Sequence, residues 1–347
     1  MTDTTAPAPS RTARPAARRG LRDRLRGRGK LIVGLVIVSS IVLFALLGPL
    51  LSQDPRNSDN PAMLPPQPGH WLGTTSLGYD VLAQLAEGAR GSLLVGVVAG
   101  LLAIVLSLVF GVVAGYSRGW TDEGLSLITN VMLVIPGLPL MIVVSSYLSV
   151  RSLLVVALIL GATAWPGAAV VLRLQSRSLR NRDYVSAARV AGEKTPRILM
   201  VEILPNLLPL LTAQFLFAVV LAILGEAGLS YLGLGPNGSI TWGTMLNEAQ
   251  GGGALTRGAW WWFVPPGLMI ALLGCALSLI NFSIDEIVNP KLRSAPAAAR
   301  SVRKARAEGR DITVQDDDEA DAPTADSPTV TVDGTADPDS EKERVQA

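Results

Sequence analysis

Few side chains in this sequence could carry covalent chemistry. There is one histidine, His70, and one cysteine, Cys275. A zinc site of paired histidines and an intrachain disulfide are therefore both excluded, and any Ser-His-Asp triad would have to use His70. Cys275 stands inside an apolar stretch, where packing is its expected role. Gly192-Glu193-Lys194-Thr195 imitates the end of a phosphate-binding loop but lacks its leading glycine and its adjoining Gly-Lys pair. The informative spacing lies around it, between 183 and 206. That segment reads as a short helix, a glycine break and a second amphipathic stretch. Ala187, Ala188 and Ala191 make one flank that another protein could approach closely, while the arginines keep it soluble. Gly192 supplies the positive φ that ends a helix and reverses the chain.

The elements that must position this segment are membrane spans. Apolar residues make up 49% of the chain and charged residues 17%, and the charges avoid the long apolar stretches. The run 31–51 has no small-residue cleavage site after it. At ~1.5 Å per residue it covers the ~30 Å bilayer core, so it reads as an uncleaved first span. Further spans are expected near 92–115, 125–148, 153–172, 207–232 and 262–282, an all-α integral membrane protein with six transmembrane helices. Each is continuously apolar rather than alternating, which requires helices. Prolines and glycines at 135–139 and 165–167 should kink two of them.

Basic residues crowd the first thirty positions, the loop from Arg173 to Arg197 and the segment after Lys291, which places both termini in the cytoplasm of a cell-membrane protein. On that rule Arg173, Arg177 and Arg180 are read as topological. Segments 52–90 and 233–260 then face outward as small lids, and Trp260-Trp261-Trp262-Phe263 fits an interfacial anchor. The tails 1–30 and 294–347, one basic and one ending acidic, have the composition of disordered chain flanking a core at 91–290. Gly96 and Gly100, then Gly111 and Gly115, repeat a spacing that permits close helix packing. Glu226 falls near the outer end of the fifth span, where a charge is costly. It could line a solute path, or equally sit at the interface or bond to a neighbouring helix.

The 183–206 segment resembles the EAA loop of binding-protein-dependent importer permeases. Ala187-Ala188, Gly192 and Leu204-Pro205 fall at the family spacings, while Ser186 replaces the glutamate and Glu202 takes the isoleucine position. The likeness extends to the C-type permeases of dipeptide and oligopeptide ABC importers. It is carried by His70-Trp71-Leu72-Gly73-Thr74, Leu77 to Leu82, Gly88 to Leu93, Glu226 to Gly235, Trp242 to Leu246 and Asn289 to Arg293. The resemblance implies a type I ABC importer permease fold with a cytoplasmic coupling helix and no catalysis of its own. It also implies ATPase-coupling roles for Tyr184, Ser186, Ala187, Ala188, Arg189, Gly192, Leu204 and Pro205, and leaves Glu226 as a possible residue of the translocation path. The implied partners are a second, homologous B-type permease, two ATP-binding subunits that use ATP and magnesium, an extracytoplasmic solute-binding protein and the lipid bilayer, with no nucleic acid. Peptides are the expected solute, and related permeases carry oligosaccharides or nickel. An ion-coupled secondary transporter should instead show repeated halves with paired broken helices, and no clear repeat is present.

Overall fold

A computed structural model describes residues 21–288, and every described element is helical. The tails expected to be disordered fall largely outside this range, as does the Asn289 to Arg293 motif. Helix α1, Leu21–Leu51, begins ten residues ahead of its apolar run, so the last part of the basic segment is helical. Helix α2, Val81–Tyr116, contains a π turn at Leu108–Val113. Next come α3, Trp120–Val134, and α4, Gly137–Tyr147, then the long α5, Leu153–Arg180. Helix α6 is the short Asp183–Val190, and α7, Thr195–Tyr231, carries a second π turn at Ile198–Ile203. Helix α8, Trp242–Gly251, and α9, Trp260–Val288, complete the order.

Five of these helices are long and apolar enough to cross a membrane, and α3 with α4 makes a sixth span if the pair is counted as one. That pair is bent by 86°. The two proline sites thus behave differently. Ile135 is extended ahead of Pro136, as the proline ring demands of its predecessor, and the helix stops and restarts. Pro166 instead stays inside an unbroken α5.

The spans pack through their small residues. A Cβ at Gly96 would come within 2.8 Å of Ile223, and one at Gly100 within 2.7 Å of Val219, so α2 lies directly on α7. Gly111 and Gly115 likewise meet the backbone of α5 at Ala169 and Arg173. Two hydroxyls fasten the α2–α5 seam: Ser107 donates to the Trp165 carbonyl at 2.9 Å and Ser176 to the Val112 carbonyl at 3.0 Å. The Val112 acceptor sits in the π turn of α2, where the regular ladder is interrupted. Pro49 frees the Ala45 carbonyl near the end of α1, and Arg90 answers it with Nε at 2.7 Å and bonds Leu46 at 2.9 Å. Large apolar side chains elsewhere on the spans stay exposed, as a lipid-facing surface requires. Cys275 is among the exposed residues of α9, which corrects its expected packing role.

The bundle has two distinct ends. One carries Trp71, Trp242 and the 260–262 tryptophans, the other Arg118, Arg173, Arg177, Arg180, Arg182, Arg189 and Arg197. At the tryptophan-rich end Trp262 is 2% exposed and presses on Gly252, while Trp261 donates to the Thr74 carbonyl at 3.3 Å. Of the expected interfacial anchor Trp260 is half exposed, while Trp261 and Trp262 pack against Thr74 and Gly252.

Candidate functional site

At the arginine-rich end α6 is a separate eight-residue helix with two unlike faces. Val185 points inward and is fully buried, in a cluster with Leu172, Ile198, Ile203 and Leu207. Tyr184, Ala187, Ala188 and Ala191 line an open groove of about 420 Å³ closed on its far side by Ile198, Glu193, Arg197 and Glu202. Small side chains on one wall and two carboxylates with an arginine on the other give a slot that admits a close neighbour and can bond it. Ser186 lies exposed beside this groove, and Val190 is 90% exposed at the helix end.

The exit from α6 is fixed by backbone geometry. Gly192 has φ +80°, its N–H donates to the Arg189 carbonyl at 3.0 Å, and the Glu193 N–H reaches the Ala188 carbonyl at 3.1 Å. These paired bonds form a Schellman stop, which the left-handed glycine makes possible. No atom lies within 4 Å of a Cβ at 192, so conformation alone, not space, demands glycine there. Leu204 and Pro205 follow the π turn of α7; Leu204 is half buried against the Val185 cluster and Pro205 is exposed. Pro205 removes a ladder donor, and the widened turn just ahead of it relieves the clash of its ring with the preceding carbonyls.

Arg189 does not join the groove. Its guanidinium sits 5.3 Å from the Tyr116 ring centre, donates through Nε to the Tyr116 hydroxyl at 3.4 Å and through Nη2 to the Arg180 carbonyl at 3.1 Å. Arg180, buried, donates in turn to the carbonyls of Tyr116 and Ser117 at 3.2 and 2.7 Å. Arg173 pairs with Asp122 of α3 at 2.8 Å. Arg173 and Arg180, read from the sequence as topological charges, therefore also hold the ends of helices together.

Glu226 lies at the opposite end of α7, fully buried. Its Oε1 accepts hydrogen bonds of 2.6 Å from both Ser230 and Thr241. Thr241 caps α8 in a reciprocal box with Thr244, and the next residue, Trp242, donates its backbone N–H to Ser92 at 3.0 Å and its ring N–H to the Leu85 carbonyl at 3.2 Å. Three of the sequence motifs, 88–93, 226–235 and 242–246, thus converge in one knot that pins α8 onto α2 and α7. Glu226 thus bonds a neighbouring element through Oε1. His70 bonds Asp80 at 2.8 Å, and Asp80 caps α2 through the Ala83 N–H at 2.9 Å, so that motif too closes the tryptophan-rich end. Among the described residues no cluster of His, Cys, Asp or Glu could hold a metal ion.

Residues 107–294 match the model of the family described as binding-protein-dependent transport system inner membrane component. The chain is 33% identical over 274 residues to the oligopeptide transport system permease protein OppC of Bacillus subtilis, covering 78% of this chain and 88% of that protein. It is 34% identical to the dipeptide transport system permease protein DppC of the same organism, over 78% and 84%. To OppC of Mycobacterium tuberculosis strain H37Rv it is 31% identical over 82% and 96%. A looser likeness joins it to an inward-facing structure of the MetNI methionine ABC transporter, with a TM-score of 0.44 and 19% identity over 60% of this chain and 95% of that one. This chain, all-helical and with several membrane-spanning helices, belongs to the inner membrane component family of binding-protein-dependent transport systems.

Proposed function

We propose that this chain is one of two permease subunits of an ATP-driven importer for oligopeptides or dipeptides, and that α6 is the helix that docks on an ATPase subunit. The observation that carries this is the short α6 with its groove of Tyr184, Ala187, Ala188 and Ala191, stopped by the left-handed Gly192, in a chain whose relatives are named as oligopeptide and dipeptide permeases. The arginine-rich end is cytoplasmic in this reading, as the distribution of basic residues favours. The tryptophan-rich lid then faces the solute-binding protein. The chain performs no covalent step; it supplies half of a path, and closure of the ATPase pair moves α6 against the spans.

Two routes leave α6 for the spans. Val185 is packed against Ile198, Ile203 and Leu207 of α7, so a push on α6 is received by α7 through a dry contact. Such contacts resist compression because interiors are close-packed. Arg189 provides the other route.

The test is co-purification followed by transport. A tagged chain should bring with it a second permease and an ATPase pair. Reconstituted vesicles with the binding protein outside and ATP inside should take up labelled di- and tripeptides and stop when vanadate is enclosed with the ATP. Peptide uptake that needs an ion gradient and no ATPase partner would refute the proposal.

A further inference from the structure

The arginine contacts around α6 carry more than orientation. Arg180 ends α5, and its guanidinium covers the carbonyl of Tyr116, the last residue of α2, and that of Ser117 just beyond it. A cation at a helix C-terminus both bonds the orphan carbonyls and complements the helix dipole. Arg189 repeats the device one step on, bonding the Arg180 carbonyl at the end of α5 while its planar guanidinium lies over the Tyr116 ring. A single side chain of α6 therefore holds the ends of two spans at once. Ser117, Arg118 and Gly119 are all that separate α2 from Trp120, the first residue of α3, and Asp122 in the first turn of α3 is held by Arg173 of α5. The foot of the bent α3–α4 pair is thus tied to α6 through Tyr116 and to α5 through Asp122.

We infer that Arg189 is a positioning residue which, through Tyr116 and Arg180, conveys displacement of α6 to the foot of the broken span α3–α4, separately from the apolar contact of Val185 with α7. The inference rests on the proposed docking of α6 to an ATPase. It adds a specific consequence: the bend at Ile135–Pro136 responds to the arginine route, and the knot at Glu226 responds to the Val185 route. A covalent backbone connection alone would not suffice, because Gly192 and the linker 181–182 leave α6 joined to the spans at its termini only, and a rigid transfer needs a contact partway along the helix.

The experiment uses the assembled complex with its binding protein, in a Cys275→Ser background that carries Leu138→Cys just beyond the bend, where Leu138 is 58% exposed. Labelling of the introduced thiol by a hydrophilic maleimide is timed before and after vanadate trapping, so no knowledge of the solute is needed. ATP hydrolysis and co-purification of the ATPase pair are read on the same preparations. In the parent complex, trapping should change the labelling rate. Arg189→Ala and Tyr116→Leu should each shrink that change by roughly fivefold or more, at the lower bound of common coupling between sites, with ATP hydrolysis retained in Tyr116→Leu. Arg189→Lys and Tyr116→Phe, which keep a cation over an aromatic ring, should restore it. Tyr116 lies outside the groove of α6, so an effect of Arg189→Ala without one of Tyr116→Leu would make Arg189 a docking residue only and overturn the inference. Parent-like labelling changes in both variants would overturn it as well. A parent complex whose labelling ignores ATP and vanadate would instead sink the transport proposal, and this inference with it.

Discussion

Gly243 sits inside α8, where helix propensity alone favours alanine by ~1 kcal/mol. The packing says the opposite. A Cβ at 243 would fall 2.7 Å from Ala227 Cα, 2.8 Å from Ser230 Cβ and 3.0 Å from Glu226 Oε1. Carbon atoms rest at ~3.5–4.0 Å, so α8 must withdraw from α7 by about 1 Å. The Thr241–Glu226 bond, now 2.6 Å, and the Trp242–Ser92 bond, now 3.0 Å, would then stretch past useful length. Leaving buried partners unsatisfied costs ~1–3 kcal/mol each, and after the propensity gain the net loss is about 2 kcal/mol, roughly a 30-fold rise in local opening. Amide hydrogen exchange of α8 in the detergent-purified protein reads that opening directly. Gly251→Ala is the control, since it ends the same helix with nothing within 4 Å of the added methyl, and its exchange should match the parent or slow. Exchange in Gly243→Ala no faster than in the parent would refute the account of the knot.

The remaining predictions touch other parts of the chain. Gly192→Val should insert normally but lose transport per ATP hydrolysed, because an L-residue in the left-handed region costs ~1–2 kcal/mol; Gly192→Asn, which tolerates that region, should stay near the parent in the same vesicle assay. Trp242→Ala should destabilise the protein by ~3–5 kcal/mol in denaturant titration, and Trp260→Ala by much less, given 0% against 53% exposure; equal effects would show that the lid is not packed as described. Glu248 is exposed at its surface, yet partial desolvation by its neighbours pushes its carboxyl above its ordinary 4.5, and the nearby Arg56 offsets this only in part. A raised carboxyl favours the fold while protonated and loses that contribution as pH climbs through its folded pKa. The thermal midpoint of Glu248→Gln should therefore rise relative to the parent as pH increases above 4.5, and a difference independent of pH would contradict the sign.

How far the sequence disclosed all this depended on the range of each interaction. Gly192 was legible because a helix stop is written in a few consecutive residues, and the spans because a bilayer demands some twenty apolar residues in a row. The small residues at 96, 100, 111 and 115 signalled close approach, though not that α7 and α5 were the partners. The severity of the bend at Pro136 was not legible: Pro166 has similar neighbours and stays within a helix, and the difference lies in the extended Ile135 and the packing around it. Glu226 remained ambiguous because Thr241 stands fifteen residues away, across a loop. Arg189 meets Tyr116 across 73 residues, and Arg180 could be explained by topology alone, so neither pointed to the other. Val185, fully buried under α6, was overlooked for the same reason. A single valine among small and charged residues carries no periodic signal.

Helix α7 runs unbroken from Thr195 to Tyr231, about 55 Å at ~1.5 Å per residue, with the α6 groove at its foot and Glu226 five residues from its tip. Its π turn and prolines all lie in the first half, below the proline-free upper section that carries the carboxylate. A lean of about ten degrees around the foot would sweep the tip by ~10 Å, and Thr241, Trp242 and the rest of α8 are moored to that tip. The molecule is thereby built as a lever with its soft joint beside the effort and its stiff arm beneath the load, and its far lid must travel whenever its near end is tilted.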